Sequence, residues 1–131
     1  MGFAALAVLG ASARPGIELL LELTGFHEKL PGTALVITAE GSLDRQTLAG
    51  KAPAGVAAAA RAHRIPVVAV AGRCLLTGAE LVDAGISAAY ALADLEPDPT
   101  RCMTEAGPLL QRLSERIAWE GLLNWNRTTE E

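Results

Sequence analysis

Aromatic residues are scarce in this chain: Phe3, Phe26, Tyr90, Trp119 and Trp125 are the only five among 131 residues. Few rings and abundant alanine disfavour a sandwich cored by large side chains and favour helices lying close on a sheet. Basic clusters are also missing. The net charge is -4, so nucleic acid is excluded as a partner, and an anionic small substrate is admissible only where positive charge is local. Cys74 and Cys102 are the two cysteines. They stand at no motif spacing in a chain without a secretory signature, which reads as reduced thiols in a cytoplasmic protein. No apolar run approaches the ~20 residues of a membrane span. The stretch 2–13 lacks the basic start and cleavage site of a signal peptide. His27 and His63 have no partner at metal-ligand spacing, so they read as ordinary surface or helix-end residues. No GxGxxG follows a strand. Gly50-Lys51 is not a phosphate loop either: Arg45 stands where its first glycine would be, and Ala52 where Ser or Thr would hold magnesium.

What is present fits one α/β domain over residues 1–131. Half the residues are apolar, which argues against disorder, and a chain of this length buries roughly two-thirds of its unfolded surface. Phe3–Ala13 predicts a helix apolar nearly all round, and therefore buried. After the break at Arg14-Pro15-Gly16, Ile17–Leu23 predicts a second helix ending at Gly25, and 26–32 a turn or single helical turn. Ala34–Thr38 and Ile65–Ala71 are short, continuously apolar runs, as expected of strands covered on both faces. The helix between them opens at Pro53, placed at its first position, and runs to His63. Strand, helix and strand within 38 residues predict a parallel βαβ unit. Thr77–Ala84 predicts a helix capped by Thr77 with Glu80 three residues on. Ser87–Ala93 predicts a third strand. Met103, Ala106, Leu110, Leu113 and Ile117 predict one amphipathic helix from Thr100 to about Leu123.

Between the first strand and its helix lies the segment with most chemistry. Glu40, Asp44, Arg45, Gln46, Thr47 and Lys51 are packed into 12 residues at the carboxyl end of a strand, where open α/β sheets bind ligands. The plain alternative is that Asp44 caps a short turn while Arg45, Gln46 and Lys51 are merely solvated. Against it, Glu40 is flanked by Ala39 and Gly41, so little bulk separates it from a ligand. Lys51 precedes a helix start, where free N–H groups favour an anion. Two carboxylates and a lysine could serve a metal or hydroxyl and a phosphate together. Spacing names no reaction beyond that.

The string VITAEGSLDRQTLAGKAPAGVA resembles the signature of the type-2 glycerate kinases, close to T-G-E-G-x-hydrophobic-D-x-Q-[ST]-x-x-G-K. LGASARPGIELLLEL, IPVVAVAGR and AGISAAYAL resemble further segments of that family, so the likeness covers almost the whole chain. It implies a three-layer α/β fold with a mostly parallel sheet and helices on both faces. It also implies phosphorylation of glycerate by ATP with Mg2+, in the cytoplasm. The implied catalytic residues are Asp44, Glu40 and Lys51, with Glu40 and Asp44 as metal ligands. Gly41, Gln46, Thr47 and Gly50 are implied substrate contacts, and Arg73, emerging from the second strand, is a candidate anion contact. Two positions depart from the pattern. Ala39 replaces the usual glycine, and Ser42 stands where arginine is common, which removes one anion contact.

Family enzymes are much longer, and the likeness extends only over their C-terminal part. The chain therefore reads as a portion of a larger two-domain kinase, lacking an N-terminal region. Apolar surface uncovered in such a portion favours self-association or a partner chain. The competing reading is a catalytically inactive α/β binding or interaction module on the same scaffold. A kinase of another small hydroxy acid is a third.

Overall fold

A computed structural model describes Val8 and residues 14–125, the last four of them by backbone alone. The helix expected over Phe3–Ala13 lies outside the described residues except for Val8. Helix α1 (Gly16–Leu23) follows Pro15 and stops where Gly25 takes a left-handed φ of 60°, a conformation glycine adopts at little cost. A single turn, α2 (Phe26–Lys29), follows. Then come β1 (Val36–Leu43), α3 (Arg45–Leu48), α4 (Ala52–Arg61), β2 (Val67–Cys74), α5 (Gly78–Asp83) and β3 (Ala88–Ala91). A short 3-10 turn (Leu92–Asp94) leads to α6 (Pro99–Thr104) and α7 (Ala106–Trp125).

The strands lie in the order β1-β2-β3, and both pairings are parallel. Alternation along β2 divides the core. Val67, Ala69 and Ala71 pack on one face with Ala57 and Ala60 of α4 and Leu81 of α5. Val68 and Val70 pack on the other with Leu113 and Ile117 of α7. Helices thus cover both faces, giving the expected three layers. Alanine at the α4 contacts lets that helix lie close to the sheet. The capping box at α5 is also as expected: the Glu80 backbone N–H donates to the Thr77 hydroxyl, and the Thr77 backbone N–H to the Glu80 carboxylate.

Four expectations need correction. First, β1 does not end at Thr38 but continues to Leu43, so Glu40 and Ser42 are strand residues rather than loop residues. Pairing with β2 is maintained at Glu40↔Ala71, Ser42↔Arg73 and Leu43↔Cys74, and the buried Leu43 anchors the end. Backbone pairing overrides the polar composition that suggested a loop. Second, β1 is not covered on both faces. Helix α7 lies over β2 and β3, leaving Ile37 59% exposed beside an apolar groove of about 1180 Å³ lined by Leu35, Ile37, Val68, Leu110 and Ile117. Third, the expected long helix is two helices, α6 and α7, separated at Glu105. The break resets the helical phase, so Met103, counted across it, falls on the wrong face and is 74% exposed while Cys102 is buried. On α7 itself Leu113 and Leu109 are buried, and Leu110 is 46% exposed because it lines the open groove. Fourth, Pro53 occupies the second position of α4, because the helix begins at Ala52.

Glycine is required where the two strand ends close. A Cβ built on Gly72 would stand 2.7 Å from the carbonyl oxygen of Gly41, well inside contact distance.

Candidate functional site

The motif folds through one side chain, Asp44. Its extended backbone and its carboxylate make it the N-cap of α3. The Oδ1 atom accepts from the backbone N–H of Gln46 at 2.9 Å and of Thr47 at 3.3 Å, satisfying donors that a helix start leaves unpaired. Thr47 completes the box, its Oγ1 accepting from the Asp44 N–H at 3.2 Å. The same hydroxyl lies 3.0 Å from Glu40 Oε2 and 3.3 Å from the Ser42 carbonyl oxygen, the two acceptors for its proton. Thr47 is fully buried. It was expected as a substrate contact, but its hydroxyl is enclosed and joins Glu40 to the Asp44 turn from beneath.

Gly50 then turns the chain with a left-handed φ of 105°, which sets Lys51 as the N-cap of α4. The Lys51 ammonium sits 3.3 Å from Glu40 Oε1 and 4.0 Å from Asp44 Oδ1. The three charged groups expected to act together are therefore brought together, one from β1, one from the α3 cap and one from the α4 cap. Their side chains retain 23%, 28% and 41% exposure for Glu40, Asp44 and Lys51, so the crevice is open to solvent. The plain alternative is half right. Asp44 does cap a turn, but Lys51 is paired rather than merely solvated.

The other candidates are distributed around this centre. Gly41 has open space where a Cβ would be, so its lack of a side chain keeps the mouth clear. Gln46 is exposed and contributes its backbone N–H to Asp44. Arg73 is exposed, and its Nε donates to Ser42 Oγ at 3.0 Å. Arg45 is drawn aside to Glu80 Oε1 at 3.0 Å. The backbone N–H of Thr77, its hydroxyl and then Arg45 hold the Glu80 carboxyl below its ordinary pKa. A second groove, of about 470 Å³ between α1 and α4, reaches this loop only at Gly50. In the motif Ser42 reads only as a departure that removes an anion contact, yet its hydroxyl holds Arg73. The strand pairing that joins the two is not legible while residues 40–42 read as loop.

Two carboxylates, one ammonium and a guanidinium at the carboxyl ends of β1 and β2 suit the positioning of a small polyhydroxy or anionic ligand. Comparison with known proteins gives the family of the chain. The pattern of the glycerate kinase family matches residues 1–120. The chain belongs to the glycerate kinase family.

A glycerate kinase from Halalkalibacterium halodurans is 39% identical over 130 residues, covering 98% of this chain and 33% of that protein. A glycerate kinase from Bacillus cereus is 42% identical over 92 residues, covering 70% of this chain and 24% of its own length. A solved structure of a Salmonella typhimurium LT2 protein, provisionally described as glycerate kinase 2, superposes with a TM-score of 0.51 at 34% identity. That match covers 70% of this chain and 21% of the other. The chain thus spans between about a quarter and a third of the length of these glycerate kinase relatives.

Proposed function

We propose that this chain carries the phosphoryl-transfer centre of a glycerate kinase, acting on glycerate with ATP. The observation that supports this reading best is the placing of the Lys51 ammonium against both Glu40 and Asp44, on a motif that resembles the family signature. Phosphoryl transfer asks little covalent chemistry of a protein. It depends on aligning a hydroxyl with the γ-phosphoryl group and on stabilising the charge that moves.

Roles follow from which atoms are already engaged. Asp44 Oδ1 is held by two backbone N–H groups. Oδ2 receives no hydrogen bond among the described residues, and it is the atom assigned here to take the proton of the attacking glycerate hydroxyl. The hydroxyl oxygen forms the new P–O bond, the bond from the γ-phosphorus to the β-γ bridging oxygen breaks, and ADP leaves with that electron pair. Lys51 offsets the negative charge gathered on the phosphoryl oxygens. Glu40, fixed by Thr47 beneath and Lys51 beside it, orients the glycerate hydroxyls. Gly41 and Gly50 shape the mouth, and Gln46 offers a hydrogen bond from its exposed side chain.

Glu40 suits Mg2+ as a hard oxygen donor, since that ion is commonly held by one or two carboxylates together with substrate phosphates. Asp44, expected as a second ligand, is given to the hydroxyl proton instead, its Oδ1 being already engaged. Among the described residues there is no group of three or more His, Cys, Asp or Glu that could hold a metal, so the phosphates would complete the shell. When bound, the ion would neutralise charge on the nucleotide phosphates. We place the activity in the cytoplasm, where ATP is supplied; the free thiols of Cys74 and Cys102 agree with that setting. No helix among the described residues is long and apolar enough to cross a membrane.

The test is phosphorus NMR of the chain mixed with glycerate, ATP and magnesium. Formation of phosphoglycerate and ADP, with loss of at least about a hundredfold in rate for Asp44→Asn, supports the reading, since positioned general bases contribute roughly 10²–10⁴. Turnover equal to the parent in Asp44→Asn removes Asp44 from the chemistry.

A further inference from the structure

Arg45 and Arg73 flank the same acidic centre and have opposite fates. Arg45 is committed to Glu80. Arg73 forms no ion pair among the described residues, and its single described side-chain bond runs from Nε to Ser42 Oγ at 3.0 Å. The pairings Glu40↔Ala71 and Ser42↔Arg73 put Ser42 two residues beyond Glu40 on β1, with Arg73 opposite it on the neighbouring strand. The guanidinium is therefore held through Ser42 at the carboxyl end of β1, two residues beyond Glu40.

Electrostatics give this placement a purpose. Glu40 and Asp44 outnumber Lys51, and the nucleotide phosphates that arrive with Mg2+ outweigh its charge, so a substrate that brings a carboxylate meets surplus negative charge. A neutral polyol would meet no such opposition. We infer that Ser42 and Arg73 form one recognition unit that admits the acid: Ser42 fixes the guanidinium through Nε, and the two terminal NH2 groups receive the substrate carboxylate end-on. A planar fork with one edge already held is pre-organised for a two-oxygen partner, which a flexible ammonium is not. Arg73 is then the residue that selects a hydroxy acid over a neutral polyol, and Ser42 is its positioning residue. This inference rests on the hydroxy-acid reading above and deepens it.

The test follows arginine Nε–Hε NMR signals of the chain during titration with glycerate, glycerol and inorganic phosphate, with Arg73 assigned by its loss in Arg73→Gln. Glycerate should move the Arg73 signal and glycerol should not. Arg73→Gln should weaken glycerate binding by about tenfold or more, the size of one charge-assisted pair. Ser42→Ala should weaken it by about threefold in the parent and have no further effect in Arg73→Gln, because the two act as a unit. Equal glycerate affinity in parent and Arg73→Gln overturns the inference and leaves the kinase reading standing. An Arg73 signal that answers phosphate but not glycerate overturns the carboxylate assignment and counts against glycerate as substrate as well. No response of Arg73 to any of the three overturns the inference outright.

Discussion

Removing the Thr47 hydroxyl at constant shape tests whether the site is held from beneath. Thr47→Val keeps the buried volume but deletes a donor lying 3.0 Å from the Glu40 carboxylate and an acceptor for the Asp44 N–H. A net hydrogen bond to a charged group is worth roughly 1.5–3 kcal/mol, and leaving a buried N–H unmade costs about 1–3 kcal/mol. Glu40 and Asp44 are partly exposed, so water replaces some of both losses. The expected total is about 2–3 kcal/mol. For a domain of this size each kcal/mol moves Tm by roughly 3–5 °C, which puts the drop near 6–15 °C. Thr47→Ser retains the hydroxyl and loses one methyl group, about 1 kcal/mol. Urea unfolding followed by circular dichroism measures both. A Thr47→Val protein within about 0.5 kcal/mol of the parent, or a serine variant as damaged as the valine one, would refute the reasoning.

Three further outcomes are expected. Gly72→Ala, whose Cβ would meet the Gly41 carbonyl oxygen at 2.7 Å, should cost about 1–3 kcal/mol by overpacking; Gly41→Ala, with open space around it, should cost well under that in the same urea titration. Leu113→Ala should cost about 2–5 kcal/mol as a core truncation and Leu110→Ala below about 1 kcal/mol, which chemical denaturation of the two variants distinguishes. Tyr90 is pushed up to about 12 by burial first and then by its bond to Glu120. The folded protein therefore holds that proton after the unfolded chain has lost it, so stability present below pH 10 is lost as pH rises from about 10 through about 12. Tyrosinate absorbance reports this group cleanly, because Tyr90 is the only tyrosine.

The parts legible in the sequence were those set by local rules. Continuous apolar runs revealed the parallel strands, and Thr77 with Glu80 revealed the cap of α5. The spacing of Glu40, Asp44 and Lys51 led to groups that do converge. What was not legible depends on contacts distant in sequence. Polar residues at 40 and 42 look like a loop until β2 pairs with them, and Ile37 looks buried until α7 settles over the other two strands. The break at Glu105 did have a local signal in Gly107-Pro108 just beyond it, but a 3.6-residue count ran through it and placed Met103 in the core. Leu110, also placed there, is exposed because the groove it lines is left uncovered. Thr47 was read as a ligand contact because a hydroxyl in a motif looks available. Its burial by the turn it completes could be seen only in three dimensions.

The measurement that bears most directly on the central claim is calorimetric titration of the chain with glycerate in the presence of magnesium. A single saturable binding event in the parent, abolished in both Lys51→Ala and Glu40→Gln while each variant unfolds cooperatively, is the predicted result. Indistinguishable isotherms for the parent and both variants would contradict the claim that these side chains form one binding centre.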